Sequence, residues 1–158
     1  MNILDRLRQG VTTGSAEETR SVATELAGVL PADTTIALHG DLGVGKTTFV
    51  QGLARGLGIM APVTSPTYTI YTILNSPVTG QTANRQTAAA PRRMLVHLDA
   101  YRLNSPAEFD ALLLDDFLKS PWCLAIEWPE KVGDRLPENA LHIVLGIGPD
   151  KRHSIQLG

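Results

Sequence analysis

The sequence predicts an α/β protein, a three-layer sandwich with a mixed central sheet and a C-terminal β-hairpin. Three observations carry this expectation. Segments of strand and helix character alternate along the chain. A glycine-rich turn joins the first clear strand, "TTIALH", to a well-patterned helix. Near the end, "LHIVLGI" and "RHSIQL" flank Gly148-Pro149-Asp150, a composition suited to a hairpin.

Taken in order, "SAEETRSVATELAGVL" opens with Ser15 and Glu18 in capping-box register. Val22, Leu26, Val29 and Leu30 repeat along one face, which predicts a helix. "KTTFVQGLARGLG" carries Phe49, Leu53 and Leu57 on one side and stops at Gly58. "TYTIYTIL" is dense in β-branched and aromatic residues, so it reads as a strand. "MLVHLD" and "WCLAIE" read as short buried strands. Between them "SPAEFDALLLDDFL" predicts a third helix, with Ser105 as N-cap, Pro106 at its first position and Glu108 closing a capping box. The stretch from Asn75 to Arg93 has almost no large apolar residue and is expected to form a mobile loop inside the domain.

The chain has 158 residues, 43% of them hydrophobic and 19% charged, which suits one domain over residues 1–158 with its own core. A net charge of −2 argues against non-specific nucleic-acid or membrane binding as the main task. A lone cysteine, Cys123, excludes an internal disulfide and a cysteine-rich zinc site, and its apolar surroundings make it an inert thiol. No apolar run reaches the roughly 20 residues needed to span a bilayer. A soluble, cytoplasmic protein is the expectation.

Chemistry enters at "GDLGVGKT", Gly40 to Thr47, which satisfies G-x-x-x-x-G-K-[ST] at every required position. Glycines let the backbone turn its amides inward around a phosphate, and the dipole of the following helix adds to their pull. Lys46 supplies a point charge for the outer phosphates, and the Thr47 hydroxyl can ligate Mg²⁺. The motif lies between a strand and a helix, the context it requires, and specifies the fold class further as P-loop NTPase-like. Thr48 reads as a helix-surface residue.

A triphosphate brings Mg²⁺, which prefers hard oxygen ligands. Asp99 ends "MLVHLD" and Glu127 ends "WCLAIE", so two acids stand at the tips of buried strands, where ligands collect in open α/β sheets. Other partners are available to both, Arg102 for Asp99 and Lys131 for Glu127. Glu127 is open to two readings, a metal ligand or the base that orients water. His97 reads as a structural, hydrogen-bonding histidine.

"GDLGVGKTTF", "SPTYTI", "HLDAYRL" and "IEWPEK", in this order and preceded by "SAEET", resemble the TsaE family. These are P-loop ATPases of bacterial tRNA threonylcarbamoyladenosine biosynthesis. The resemblance runs from about Gly14 to the final hairpin. It implies ATP hydrolysis to ADP and phosphate, slow without partners, in support of threonylcarbamoylation of adenosine 37 (t6A). It also implies work with TsaD and TsaB, and contact with tRNA only indirectly. The cofactors it implies are ATP and Mg, held by Asp41, Leu42, Gly43, Val44, Gly45, Lys46, Thr47, Thr48 and Thr67. Thr47, Asp99 and Glu127 would serve the metal, and Lys46, Asp99 and Glu127 the chemistry. Thr67 resembles a switch threonine close to the γ-phosphate. Residues from Ser15 to Thr19 would border the adenine, and Trp128 would shape the nucleotide or partner surface. Two features depart from the family pattern. Leu113 stands where members often carry glycine, and the 75–93 loop is longer than usual. Two other classes fit the same cradle: a small-molecule kinase, and a nucleotide-gated binding module with negligible hydrolysis. A guanine-specific switch does not fit, because no N-K-x-D segment occurs.

Overall fold

The computed structural model describes residues 1–65, 70–77 and 93–158. Its strands are β1 (Val11–Thr13), β2 (Thr34–His39), β3 (Tyr71–Asn75), β4 (Met94–Asp99), β5 (Trp122–Glu127), β6 (Leu141–Ile147) and β7 (His153–Leu157). They form one seven-stranded sheet in the order β1-β7-β6-β2-β5-β4-β3. The central strands β6, β2, β5 and β4 run parallel, while β3, β7 and β1 pair antiparallel at the edges. The mixed sheet and the terminal β6–β7 hairpin are as the sequence predicts. Helices α1 (Ile3–Gln9), α2 (Ala16–Ala27), α3 (Lys46–Gly56) and α4 (Pro106–Asp110) complete the framework.

The two layers flanking the sheet are unequal. On one face α2 and α3 bury Val22, Leu26, Phe49, Val50 and Leu53 against Ile36, Leu38, Ile143 and Ile155. On the other, α4 and short 3-10 turns gather Leu103, Leu114 and Val132 over Val96, Leu98, Leu124 and Ile126. Alternate residues of the central strands feed these two cores, which is why the strands read as continuous apolar runs.

Close helix packing seats α3. A Cβ on Gly52 would lie 2.7 Å from the Ala23 Cβ, and one on Gly56 would lie 2.6 Å from the Ala27 Cβ. The Thr24 hydroxyl donates to the Gly52 carbonyl at 2.9 Å, a bond possible only because the helices approach so closely.

Three local expectations need correction. Helix α4 ends at Asp110 and does not continue through "ALLLDDFL". Leu113 takes the left-handed conformation (φ 54°, ψ 44°), and a 3-10 turn over Leu114–Asp116 follows. A left-handed residue cannot propagate a right-handed helix. The capping boxes are also displaced by one residue. The Ser15 hydroxyl accepts from the Glu18 amide, but Glu18 accepts from the Gly14 amide, not from that of Ser15. Glu108 likewise accepts from the Asn104 amide, and Ser105 makes no capping bond through its side chain. Finally, α1 and β1 were not anticipated. Thr67, the start of "TYTIYTIL" and most of the 75–93 loop lie outside the described residues.

Candidate active site at the strand tips

The cradle follows β2 directly. Gly40 leaves the strand where a Cβ would meet both the Leu145 carbonyl oxygen and Val44 Cγ2 at 2.6 Å, so only glycine passes. Gly45 caps α3 in the left-handed region (φ 101°, ψ 22°), which a glycine adopts without strain. The helix then starts with Lys46, Thr47 and Thr48, with its free amides and positive dipole end at the loop.

Strand pairing brings the acids to this point. β5 lies beside β2 and β4 beside β5, so Glu127 is level with Leu38 and Asp99 with Glu127. The Thr47 hydroxyl lies 3.5 Å from Glu127 Oε2. Glu127 Oε2 also sits 2.5 Å from His97 Nε2, in a pair whose side chains are 7% and 1% exposed. Among the described residues both of these Glu127 contacts fall on Oε2, and Oε1 is the oxygen left for a metal or a water. Asp99 Oδ1 accepts from the Tyr101 amide at 3.0 Å, which closes the turn after β4. Among the described residues, neither acid forms an ion pair with its alternative partner, Arg102 or Lys131.

Lys46 is buried although charged. Its Nζ donates to the Gly40 carbonyl at 2.6 Å and lies 3.7 Å from the centroid of the Trp128 ring. Burial pulls its ammonium below the usual lysine pKa, and the carboxylates of Glu127 and Asp99 oppose that pull. Trp128 is itself left-handed (φ 56°) and packs against Tyr101, with ring centroids 5.3 Å apart. That conformation turns the indole back over the cradle directly after Glu127.

These groups line one cleft of about 290 Å³, bounded by Leu42, Gly43, Gly45, Lys46, Thr47, Thr48, Ser65, Asp99, Glu127 and Trp128. Asp41 is exposed and stands outside that lining, and Leu42 projects into solvent at the tip of the loop. Val44 turns inward to the core, so it could offer the cleft only its backbone. Thr19 is committed elsewhere: its hydroxyl is buried and shares a 2.7 Å hydrogen bond with Thr13. Arg102 is exposed. Cys123 is fully buried and its thiol is pushed up to about 12, so it stays unreactive at neutral pH.

The donor set suits magnesium. A hydroxyl and two carboxylates are hard oxygen ligands, and Mg²⁺ typically takes one or two carboxylates and completes its shell with substrate phosphates and water. Thr47, Glu127 and Asp99 could hold it.

Two contacts were not legible in the sequence. His97 reads as structural, yet the fold joins it to Glu127 across neighbouring strands, level with Ala125. His153, on β7, bonds the Val44 carbonyl across 109 positions of sequence. No spacing rule reaches that far. Only the antiparallel return of the last strand makes the second contact.

The chain as a whole is similar to known proteins. The profile of the family described as "Threonylcarbamoyl adenosine biosynthesis protein TsaE" matches residues 13–154. A tRNA threonylcarbamoyladenosine biosynthesis protein TsaE from Bacillus subtilis is 35% identical over 141 residues, covering 89% of this chain and 79% of its own. Its counterpart from Treponema pallidum is 33% identical, covering 89% of this chain and 93% of its own. The crystal structure of Bacillus subtilis YdiB superposes with a TM-score of 0.66 at 30% identity, over 94% of this chain and 82% of that one. With a cradle, strand-tip acids and sheet of this form, and a match that covers nearly every described element, the chain belongs to the TsaE family.

Proposed function

We propose that this chain is an Mg-dependent ATPase that supports threonylcarbamoylation of adenosine 37 in tRNA through the TsaD–TsaB pair. The family is one of threonylcarbamoyl adenosine biosynthesis, and that supports the pathway. One observation carries the chemistry: Thr47 and Glu127 meet at 3.5 Å beside a lysine held in the mouth of a P-loop.

The residues divide the work. Backbone amides of Gly43 to Thr48 hold the phosphates, reinforced by the α3 dipole. Lys46 leaves the Gly40 carbonyl and neutralises charge on the β- and γ-phosphates. Thr47, Glu127 and Asp99 would hold Mg²⁺, which when bound would offset phosphate charge. His97 keeps Glu127 Oε2 fixed, so Oε1 would be left to serve the metal or to orient the attacking water. Water attacks the γ-phosphorus as the bond to the β-bridging oxygen breaks, giving ADP and phosphate, and the water proton passes to solvent or to phosphate. Thr67 is the switch threonine that the family resemblance implies. Contact with tRNA is indirect, through the partner proteins.

Two assays test this reading. Release of labelled phosphate from γ-labelled ATP should require Mg²⁺, rise when TsaD and TsaB are added, and vanish in Lys46→Ala. Cells depleted of the protein should lose t6A and regain it with the wild type but not with Lys46→Ala or Glu127→Gln. Full rescue by Glu127→Gln would instead point to a binding module that needs no hydrolysis.

A further inference from the structure

The cradle is braced from outside by the last strand. His153 opens β7, paired with Thr13 of β1 and Ile147 of β6. Its Nδ1 lies 2.9 Å from the Val44 carbonyl oxygen. A carbonyl can only accept, so Nδ1 carries the hydrogen and donates it. The ring also stands behind Gly45, with Nδ1 3.6 Å from the point a Cβ would occupy there. Val44 is buried, and its Cγ2 and the Leu145 carbonyl of β6 both crowd the space beside Gly40. The hairpin thus holds the loop through a side-chain bond and through packing.

The bonded carbonyl belongs to the peptide unit that joins Val44 to Gly45. That unit is planar and trans, so its C=O and N–H point in opposite directions. Tying the oxygen to β7 turns the Gly45 N–H the other way, away from the hairpin. Without that tie the unit has little to fix it, because glycine accepts either sign of φ and the peptide can rotate.

We propose that His153 is a positioning residue for phosphate binding: its Nδ1–H aims the Gly45 amide into the cradle and makes the terminal hairpin part of the nucleotide site. His153 does not touch the nucleotide. Its effect passes through one peptide plane. The proposal rests on the reading that this loop takes ATP phosphates, and deepens it.

The test compares His153→Leu with His153→Asn, since the asparagine amide nitrogen falls near the position of Nδ1 and keeps a donor. The probe is Mg·ADP, titrated by fluorescence, with the Gly45 amide followed by NMR. In the wild type, ADP should move the Gly45 amide proton downfield as it bonds phosphate. His153→Leu should weaken ADP binding roughly tenfold, the scale of one misplaced hydrogen bond, and lose that shift. His153→Asn should retain both, even if the two variants melt at the same lowered temperature. Should His153→Leu fail to fold, His153→Gln, which carries its donor farther out, takes its place with the same expectation. Wild-type affinity in His153→Leu, or equal loss in His153→Asn, overturns the positioning role while the nucleotide reading stands. If the wild type itself binds no ADP, the nucleotide reading fails and the positioning role with it.

Discussion

Replacing Gly52 with alanine should destabilise the protein, although alanine is the better helix former. The intrinsic gain of Gly→Ala inside a helix is about 1 kcal/mol. Against it stands the approach of α2. A Cβ at position 52 would lie 2.7 Å from the Ala23 Cβ and 2.8 Å from Arg20 Cα, where carbon atoms normally keep about 3.5 to 4.0 Å. The deficit of roughly 1 Å falls on backbone and on a β-carbon, neither of which can swing aside. Overpacking of this kind costs about 1 to 3 kcal/mol. Displacing α2 also stretches the 2.9 Å bond from the Thr24 hydroxyl to the Gly52 carbonyl, worth about 1 kcal/mol. The net expectation is a loss of about 1 to 3 kcal/mol. Gly28→Ala is the control: its φ of −67° is helical, and its nearest contact is the Glu25 carbonyl at 3.4 Å. It should be neutral or gain up to about 1 kcal/mol. Urea unfolding at matched m-values measures both. Since α3 begins with Lys46 and Thr47, affinity for Mg·ADP should fall together with stability in Gly52→Ala. A rise in the unfolding midpoint for Gly52→Ala, equal to that of Gly28→Ala, would refute the packing argument.

Two further outcomes are expected. Leu113→Gly should stabilise by about 1 kcal/mol in the same urea assay, because a leucine that is 60% exposed loses little burial while its left-handed backbone is relieved. His39 shares a 2.8 Å hydrogen bond with His142, and burial together with that second imidazole lowers its pKa from 6.5. The unfolded chain therefore takes up the proton first. The stability this group contributes is complete above pH 6.5 and is lost as pH falls toward its folded value. Thermal melts between pH 5 and pH 8 should show that slope, flattened in His39→Gln.

The parts legible in the sequence are those whose signal is local. The α2 helix announces itself through Ser15 and its 3.6-residue apolar stripe, and the cradle through glycines at fixed spacing before Lys46. Asp99 and Glu127 could be placed at strand tips because "MLVHL" and "WCLAI" leave no doubt about the strands that precede them. Where local signals compete, the reading failed. "ALLLDDFL" has helical propensity throughout, but the second core takes Leu114 and rejects Leu113, and the helix gives way at that point. The α1 helix is only seven residues long, and β1 only three, too brief for a pattern to rise above chance. Asn2, which accepts from the Asp5 amide, together with Ile3 and Leu7 at a spacing of four, was the signal available for α1. The histidine contacts were beyond reach for a different reason. His97 meets Glu127, and His153 meets Val44, only after strands distant in sequence have found their neighbours.

That dependence has a kinetic consequence. Thr13 and His153 are 140 positions apart (153 − 13) and lie side by side at the sheet's edge. Among contacts in a chain, the longest closures are the slowest to be rewarded. Helix α3 and the loop before it can take shape early, while synthesis is still under way, yet the carbonyl of Val44 has no tether until the final strand arrives. On the proposed role of His153, a ribosome-bound or clipped chain lacking that strand would bind nucleotide about tenfold more weakly, its glycine loop left without that grip.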